Sequence, residues 1–351
     1  ENHQVPQVVT DLLQAGFSGF YEGDKVYNPV LKQMVDASPK ASDELSIAAI
    51  CVSKSARLEN NSAALLDMGN GVALFQFKTK NATLNSELIL SLEESLGIVE
   101  REFDALVIGH DGENFAYGAD LMEAITAHTS GNIQKVIETV VNFQRTAVAL
   151  KYAPFPVVVA PFGRTLGGGA EFVLYSDKIV AHHELYIGLV EVGVGLIPAG
   201  GGTTELVRRA MQNLPDDADA LPFIREVFKT IGMAKVSESA EMARKMGFLQ
   251  QGDIVVMNRY QQLSVAKSQA RAMADAGYQP PHKTPVPVLG DKSLGVMKTM
   301  LYVMHESGYA TDYDKVVGER VAFVMAGGNL SEPTKVSEDY LLKLEREAIF
   351  E

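Results

Sequence analysis

Residues 154–181 read PFPVVVAPFGRTLGGGAEFVLYSDKIVA: an apolar run, three glycines that open a helix, and a second apolar run. PVVVAPF (156–162) and DKIVA (177–181) both read as strands. Upstream, ALVIG (105–109) reads as a buried strand. Ala64–Asp67 and Val72–Phe77 flank MGNG as a hairpin. Between these lies Asn85–Phe103, with Leu88, Leu92, Leu96 and Val99 at helical spacing, and further helices are expected near 120–128 and 132–151. Strand and helix alternate, which predicts an α/β arrangement with crossover connections. Beyond about residue 256 the strand signal stops and helical patterns run to the end. Pro280, Pro281, Pro285 and Pro287 interrupt them as a linker or rigid bend. At the start, VVTDLLQAG reads as a short helix and SGFYEGDKVYNP as a turn-rich aromatic segment.

The chain has 351 residues, which at about 150 per domain means one large domain or two modest ones. Hydrophobic residues make up 46% and charged residues 21%, ordinary globular usage that excludes wholesale disorder or a fibrous rod. Acids outnumber bases 44 to 31, for a net charge of −13. That argues against nucleic acid as a partner, since binding it needs a basic footprint. The single cysteine, Cys51, can form no internal disulfide and no cysteine cluster for zinc, so a reducing, cytoplasmic setting is expected. No run of 18 apolar residues predicts a membrane span. The chain opens ENHQ, without an initiator Met or an apolar signal core, as expected of a processed chain or a piece of a longer one.

Ten of the thirty glycines fall between Gly163 and Gly202, which concentrates backbone freedom in one window. Three segments there and just before it could carry chemistry. In ENFAYGADLMEA (113–124), Gly118 permits an unusual turn and Asp120 sits at a helix N-cap, leaving the N–H of Ala119 without a helical partner. A plain capped turn would look the same. In PFGRTLGGGAEF (161–172), the first N–H groups of a helix are orphans beside the positive end of its dipole. Gly168 could offer one to a ligand oxygen. Glu171 in that first turn suits the dipole even with no further role. In GLVEVGVGLIPAGGGTTEL (188–206), Glu191 stands in a stretch otherwise free of charge, where desolvation would raise its pKa, unless it is a surface acid on a glycine loop. No Gly-Lys-Ser/Thr phosphate loop, G-x-G-x-x-G fingerprint or G-x-S-x-G elbow is present. His182 and His183 are adjacent on a strand, point to opposite faces and have no third ligand at metal spacing, so no metal site is expected.

In order and spacing these segments resemble the enoyl-CoA hydratase/isomerase (crotonase) superfamily. FAYGADL (115–121) is similar to its F-x-x-G-A-D-[LI]. Residues 154–181 resemble its P-V-I-A-A-x-x-G-x-x-x-G-G-G-x-E with the following strand. YIGLVEVGVGLIPAGGGTTEL (186–206) resembles its F-G-x-P-E-x-x-x-G-L-x-P-x-x-G-G-T-x-x-L. The resemblance implies a ββα-repeat spiral core with a helical C-terminal region. It implies that Ala119 and Gly168 form an oxyanion hole and that Glu171 and Glu191 are the two glutamates of hydratases. It also implies that KNATLN (80–85) runs beside coenzyme A, through Lys80, Ala82 and Leu84, with Tyr117, Gly118 and Asp120 also near the substrate. Phe162 stands where the family has asparagine and Val190 where it has proline, changes expected to affect packing more than chemistry.

The expected organisation is an N-terminal segment (1–60), a catalytic core (61–255) and a helical region (256–351). LLQAGFSGFYEGDKVYNP and YLLKLEREAIF (340–350) are similar to parts of bacterial 3-hydroxyacyl-CoA dehydrogenases that carry a crotonase domain. The first segment would then be the remnant of a dehydrogenase module. The implied activity is hydration of a 2-enoyl-CoA with no cofactor in this chain, NAD belonging to the missing module. Rival readings are an enoyl-CoA isomerase on the same fold and a non-catalytic acyl-CoA-binding domain. The implied partners are acyl-CoA and either further copies of the chain (a trimer or dimer of trimers) or a dehydrogenase module in cis.

Overall fold

Asn70 and Gly71 both take positive φ, 59° and 71°, the geometry a two-residue hairpin turn demands. The turn joins Ala63–Gly69 to Val72–Phe77 and starts the central sheet. The computed structural model describes residues 5–22, 25–36, 45, 47, 50, 56–212, 214–215 and 217–350. Cys51 lies outside the described residues. Two compact units are present, Glu1–Leu45 and Ser46–Glu351.

In the first unit Gln7–Gln14 is helical, as its spacing predicts. SGFYEGDKVYNP departs from expectation. Tyr21–Glu22, Lys25–Asn28 and Gln33–Asp36 form a small antiparallel sheet, with Tyr27 buried against Phe17 and Phe20. Tyr and Val at these positions favour a pleated surface, and the flanking turn residues masked that preference.

The second unit holds a seven-stranded sheet. From one edge its strands are Ile254–Val256, Lys178–His182, Val157–Val159, Ala105–Ile108, Val72–Phe77, Ala63–Gly69 and Leu58–Glu59. The first five run parallel, so helices must cross between them. Ser86–Glu102 is one such helix. The Asn85 side chain accepts from the N–H of Leu88 and caps it, worth about 1 kcal/mol. Leu88, Leu92, Leu96 and Val99 are buried, as their spacing predicts. Leu121–Thr129 and Ile133–Lys151 follow, then Gly168–Leu174. A second parallel pair, Gly163–Leu166 with Leu185–Gly188, stands beside the main sheet and carries the glycine cluster.

The C-terminal region is mostly helical, through Gln262–Asp275, Asp291–Glu306, Asp312–Ala326 and Glu338–Phe350. The strand signal does not end at 256, however. Val286–Val288 pairs antiparallel with Thr334–Val336. Pro285 and Pro287 suggested a linker, yet a two-stranded ribbon has an open side where a proline's missing N–H costs nothing. Among the described residues no helix is long and apolar enough to cross a membrane.

One buried cluster props the turn that leads to Ala119. His110 is wrapped by Phe77, Phe115 and Phe162. Its Nε2 lies 2.8 Å from the Phe115 carbonyl, and its Nδ1 accepts from the N–H of Gly112 at 3.0 Å, so the ring is the neutral Nε2–H tautomer. The Arg259 guanidinium covers the Phe162 ring at 3.5 Å and donates to the His110 carbonyl at 2.7 Å. Burial pushes the His110 pKa down to about 4. Below its ordinary value the unfolded chain then takes up the proton first, so stability is lost as pH falls from about 6.5 toward 4, by about 3 kcal/mol in all. An NMR titration should find one imidazole still neutral at pH 5; a ring titrating near its ordinary value at this position would contradict the account.

Candidate active site

Two turns with free amides abut. Gly118 has φ 88°, and Leu84 grips the chain on both sides of Ala119: its N–H donates to the Gly118 carbonyl at 2.8 Å, and its carbonyl accepts from Asp120 at 3.0 Å. In that parallel bridge the N–H of Ala119 points away from Leu84. Asp120 then caps Leu121–Thr129, accepting from Met122 at 3.0 Å and Glu123 at 3.3 Å. On the second turn, the N–H of Gly167 donates to the Gly188 carbonyl at 2.9 Å. The next amide, Gly168, starts a helix and so has no acceptor within it. The turns touch closely: a Cβ added to Gly118 would lie 3.2 Å from the Leu166 carbonyl and 3.6 Å from the Gly168 nitrogen. The plain capping role of Asp120 is therefore real, and it coexists with an Ala119 amide that has no acceptor among the described residues.

Glu171 lies in the first turn of the same helix and is only 3% exposed. Its Oε1 accepts from the backbone N–H groups of Gly200 and Gly202, both at 2.8 Å. Burial raises its pKa, and those two amides pull it part of the way back. It is not the surface acid that a helix dipole alone would explain.

Glu191 opens the short helical turn Glu191–Val194. The residue as a whole is half-buried, but its Oε2 is out of solvent and without a partner. A Cβ on Gly167 would lie 2.9 Å from Glu191 Oε1, so this carboxyl rests against the residue preceding Gly168. Burial raises its pKa first and the charge of Glu171 raises it further, against backbone N–H groups at Glu191 and Val190. The two acids are thus close enough to oppose each other's ionisation.

The glycines make this approach possible. A Cβ on Gly200 would sit 2.2 Å from the Phe143 ring and 2.3 Å from Glu171 Oε2, and one on Gly202 would sit 3.0 Å from Glu171 Cγ. Phe143 stacks on Phe172 at 4.5 Å and floors the site.

The remaining expected residues fall on two sides of the Ala119 turn. Leu84, Ala119 and Asp120 line a cavity of about 690 Å³ walled by Ile125, Ile133 and Leu196. Tyr313 and Phe350, from the C-terminal region, complete its lining. Ala82 and Tyr117 line a smaller cavity of about 430 Å³ with Asn81 and Asn114. Lys80 is exposed on the turn Lys80–Ala82. The Tyr117 hydroxyl accepts from Asn114 at 3.0 Å and Arg164 at 3.3 Å. No cluster of three metal-ligating side chains occurs among the described residues.

Sequence reading missed the groups that reach the site from behind. Gln144 Nε2 donates to the Ala199 carbonyl at 2.7 Å and to the Leu342 carbonyl at 3.0 Å. The Tyr313 hydroxyl donates to the Gly195 carbonyl at 3.0 Å. Glu345 is fully buried against the Gly200–Thr204 turn. For Glu345 a signal existed: it lies seven residues after Glu338, on the helix face of Leu341 and Leu342.

Residues 67–215 match the family described as enoyl-CoA hydratase/isomerase. Over 290 residues the chain is 39% identical to a Bacillus subtilis (strain 168) protein named "Probable 3-hydroxyacyl-CoA dehydrogenase", covering 83% of this chain and 36% of that one. It is 34% identical over 219 residues to a Rickettsia felis protein named "Putative fatty acid oxidation complex trifunctional enzyme", covering 62% of this chain and 28% of that one. The chain thus spans well under half the length of either relative. The solved enoyl-CoA hydratase of Bacillus anthracis superposes with a TM-score of 0.50 at 21% identity, over 75% of this chain and 90% of that one. That of Polaromonas sp. JS666 superposes with a TM-score of 0.51 at 18% identity, over the same shares. These structures share the crotonase fold with this chain. Over residues 67–215 the chain thus resembles the enoyl-CoA hydratase/isomerase family.

Proposed function

We propose that this chain is an enoyl-CoA hydratase that adds water across the 2,3 double bond of a 2-enoyl-CoA in fatty-acid β-oxidation. One observation carries the reading: two buried carboxyls, Glu171 and Glu191, lie beside two main-chain N–H groups, Ala119 and Gly168, that have no acceptor among the described residues. An isomerase shifts a double bond with one proton-carrying group and needs no water. The second buried acid favours hydration.

In this reading the thioester oxygen sits between the N–H groups of Ala119 and Gly168. Water attacks C3, the π electrons move toward that oxygen, and an enolate-like state forms. Donors fixed before reaction serve best there, and losing one costs about 10²–10³ in rate. One acid must accept the water proton while the other gives a proton to C2. Glu171, held by two amides at 2.8 Å, is the easier to ionise and acts as base. Glu191, with Oε2 unpartnered and Glu171 nearby, keeps its proton and acts as acid. The acyl tail takes the cavity beyond Ala119, and coenzyme A leaves past Ala82, Leu84 and Tyr117, with Lys80 near its phosphates.

Water addition uses no cofactor, coenzyme A being part of the substrate. NAD would serve a dehydrogenase module of a longer, bifunctional protein. Further copies of the chain, as a trimer or dimer of trimers, or that module in cis, would complete the assembly.

Glu171→Gln and Glu191→Gln should each lower kcat for crotonyl-CoA hydration by about 10²-fold or more, with KM changed only a few-fold. Loss of the enoyl thioester absorbance without NADH formation is the readout. Near-parental rates in both variants would overturn the reading, and turnover of a 3-enoyl-CoA without hydration of the 2-enoyl-CoA would replace it with isomerisation. The kcat profile should be bell-shaped, falling at low pH as Glu171 gains a proton and at high pH as Glu191 loses one. Gly200→Ala should push Glu171 off its amides, lowering kcat and costing about 1–3 kcal/mol of stability in urea unfolding.

A further inference from the structure

The turn that holds Glu171 is itself held from its other side. Its amides alternate between two acids. Gly200 and Gly202 donate to Glu171, while Gly201 and Thr204 donate to Glu345, at 2.8 Å to Oε2 and 2.9 Å to Oε1. The Thr204 hydroxyl adds a third contact to Glu345 Oε1 at 2.7 Å. Glu345 belongs to the helix Glu338–Phe350, outside the family-matched residues 67–215. The same helix is tied to the start of the turn by Gln144, which bridges the Leu342 and Ala199 carbonyls.

A buried carboxyl on a backbone turn costs several kcal/mol of desolvation unless the contacts repay it. Helix attachment alone would be met as well by an apolar residue at 345.

We propose that Glu345 is a positioning residue for the site: from the C-terminal helix it clamps the glycine turn that carries the amide donors of Glu171, and it sets a third carboxyl behind the two that face the substrate. This rests on the roles proposed above for Glu171 and Glu191. Burial and the charge of Glu171 push the Glu345 pKa up to about 8, and the charge of Glu345 in turn favours the protonated form of Glu191. The groups facing Glu345 are Glu171 and Tyr175 from the helix Gly168–Leu174 and its end, with Glu191 beyond them. Glu205 and Glu338 bind Lys151 and Arg208 in a neighbouring ion cluster, and Arg346 turns to Gln144.

The test is the pH profile of kcat for enoyl-CoA turnover by the full chain carrying Glu345→Gln. Gln has one acceptor oxygen where Glu345 uses two, so its NH2 group must face either Gly201 or Thr204, and it carries no charge. We expect kcat to fall about tenfold or more with KM little changed, and the alkaline limb to move to lower pH by about half a unit, because Glu191 loses a like-charged neighbour. Thr204→Val, close to isosteric, removes only the hydroxyl contact and should move the same limb the same way by less. It carries the test alone if Glu345→Gln does not fold. An unmoved limb, whether or not kcat falls, overturns the proposal and leaves Glu345 a packing residue. If Glu171→Gln and Glu191→Gln lose activity while the limb stays put, only this inference fails. If those two variants remain active, the underlying assignment fails instead.

Discussion

A carboxylate removed from water must be held by donors or it will not stay ionised, and Glu171 has only main-chain amides for that purpose. Two of them reach one oxygen because residues 200 and 202 have no side chain; a Cβ at either position would run into Glu171 itself. From that constraint follow the glycines at 200 and 202, while Gly201 between them takes φ 109° and leaves room for the Tyr175 ring. The same constraint makes Glu171 the more acidic of the two facing carboxyls, although burial raises both.

The front of the site depends on a second backbone arrangement. A parallel bridge turns the N–H of Ala119 away from Leu84, and Gly168, first in its helix, has no acceptor within that helix. Neither amide lies on a long flexible loop. His110, Phe115 and Phe162 brace the approach to the first, and the parallel pair Gly163–Leu166 with Leu185–Gly188 braces the second. Donors fixed in this way need no reorganisation when charge develops on a bound oxygen.

The parts that were legible in the sequence are those whose cause is local. Asn70-Gly71 announces its hairpin, Leu88 to Val99 mark a helix face, and the glycine runs flank Glu171 and Glu191 within a few residues. What stayed hidden arises from packing across long separations. Glu345 shares a helix face with Leu341 and Leu342, which hints at burial, but nothing local reveals the Gly200–Thr204 turn that its carboxyl receives. Gln144 is hidden for the same reason. Pro287 reads as a break because nothing nearby in sequence reveals Thr334–Val336, the strand it pairs with. The small sheet at Tyr21–Asp36 was obscured by its own turn residues.

The most direct test is a crystal structure of the chain with an unreactive acyl-CoA thioester bound. The thioester oxygen should lie within about 3 Å of the nitrogens of both Ala119 and Gly168, with Glu171 and Glu191 on the same face of C2 and C3. A thioester oxygen bound away from those amides, or acids facing opposite sides of the acyl chain, would contradict it.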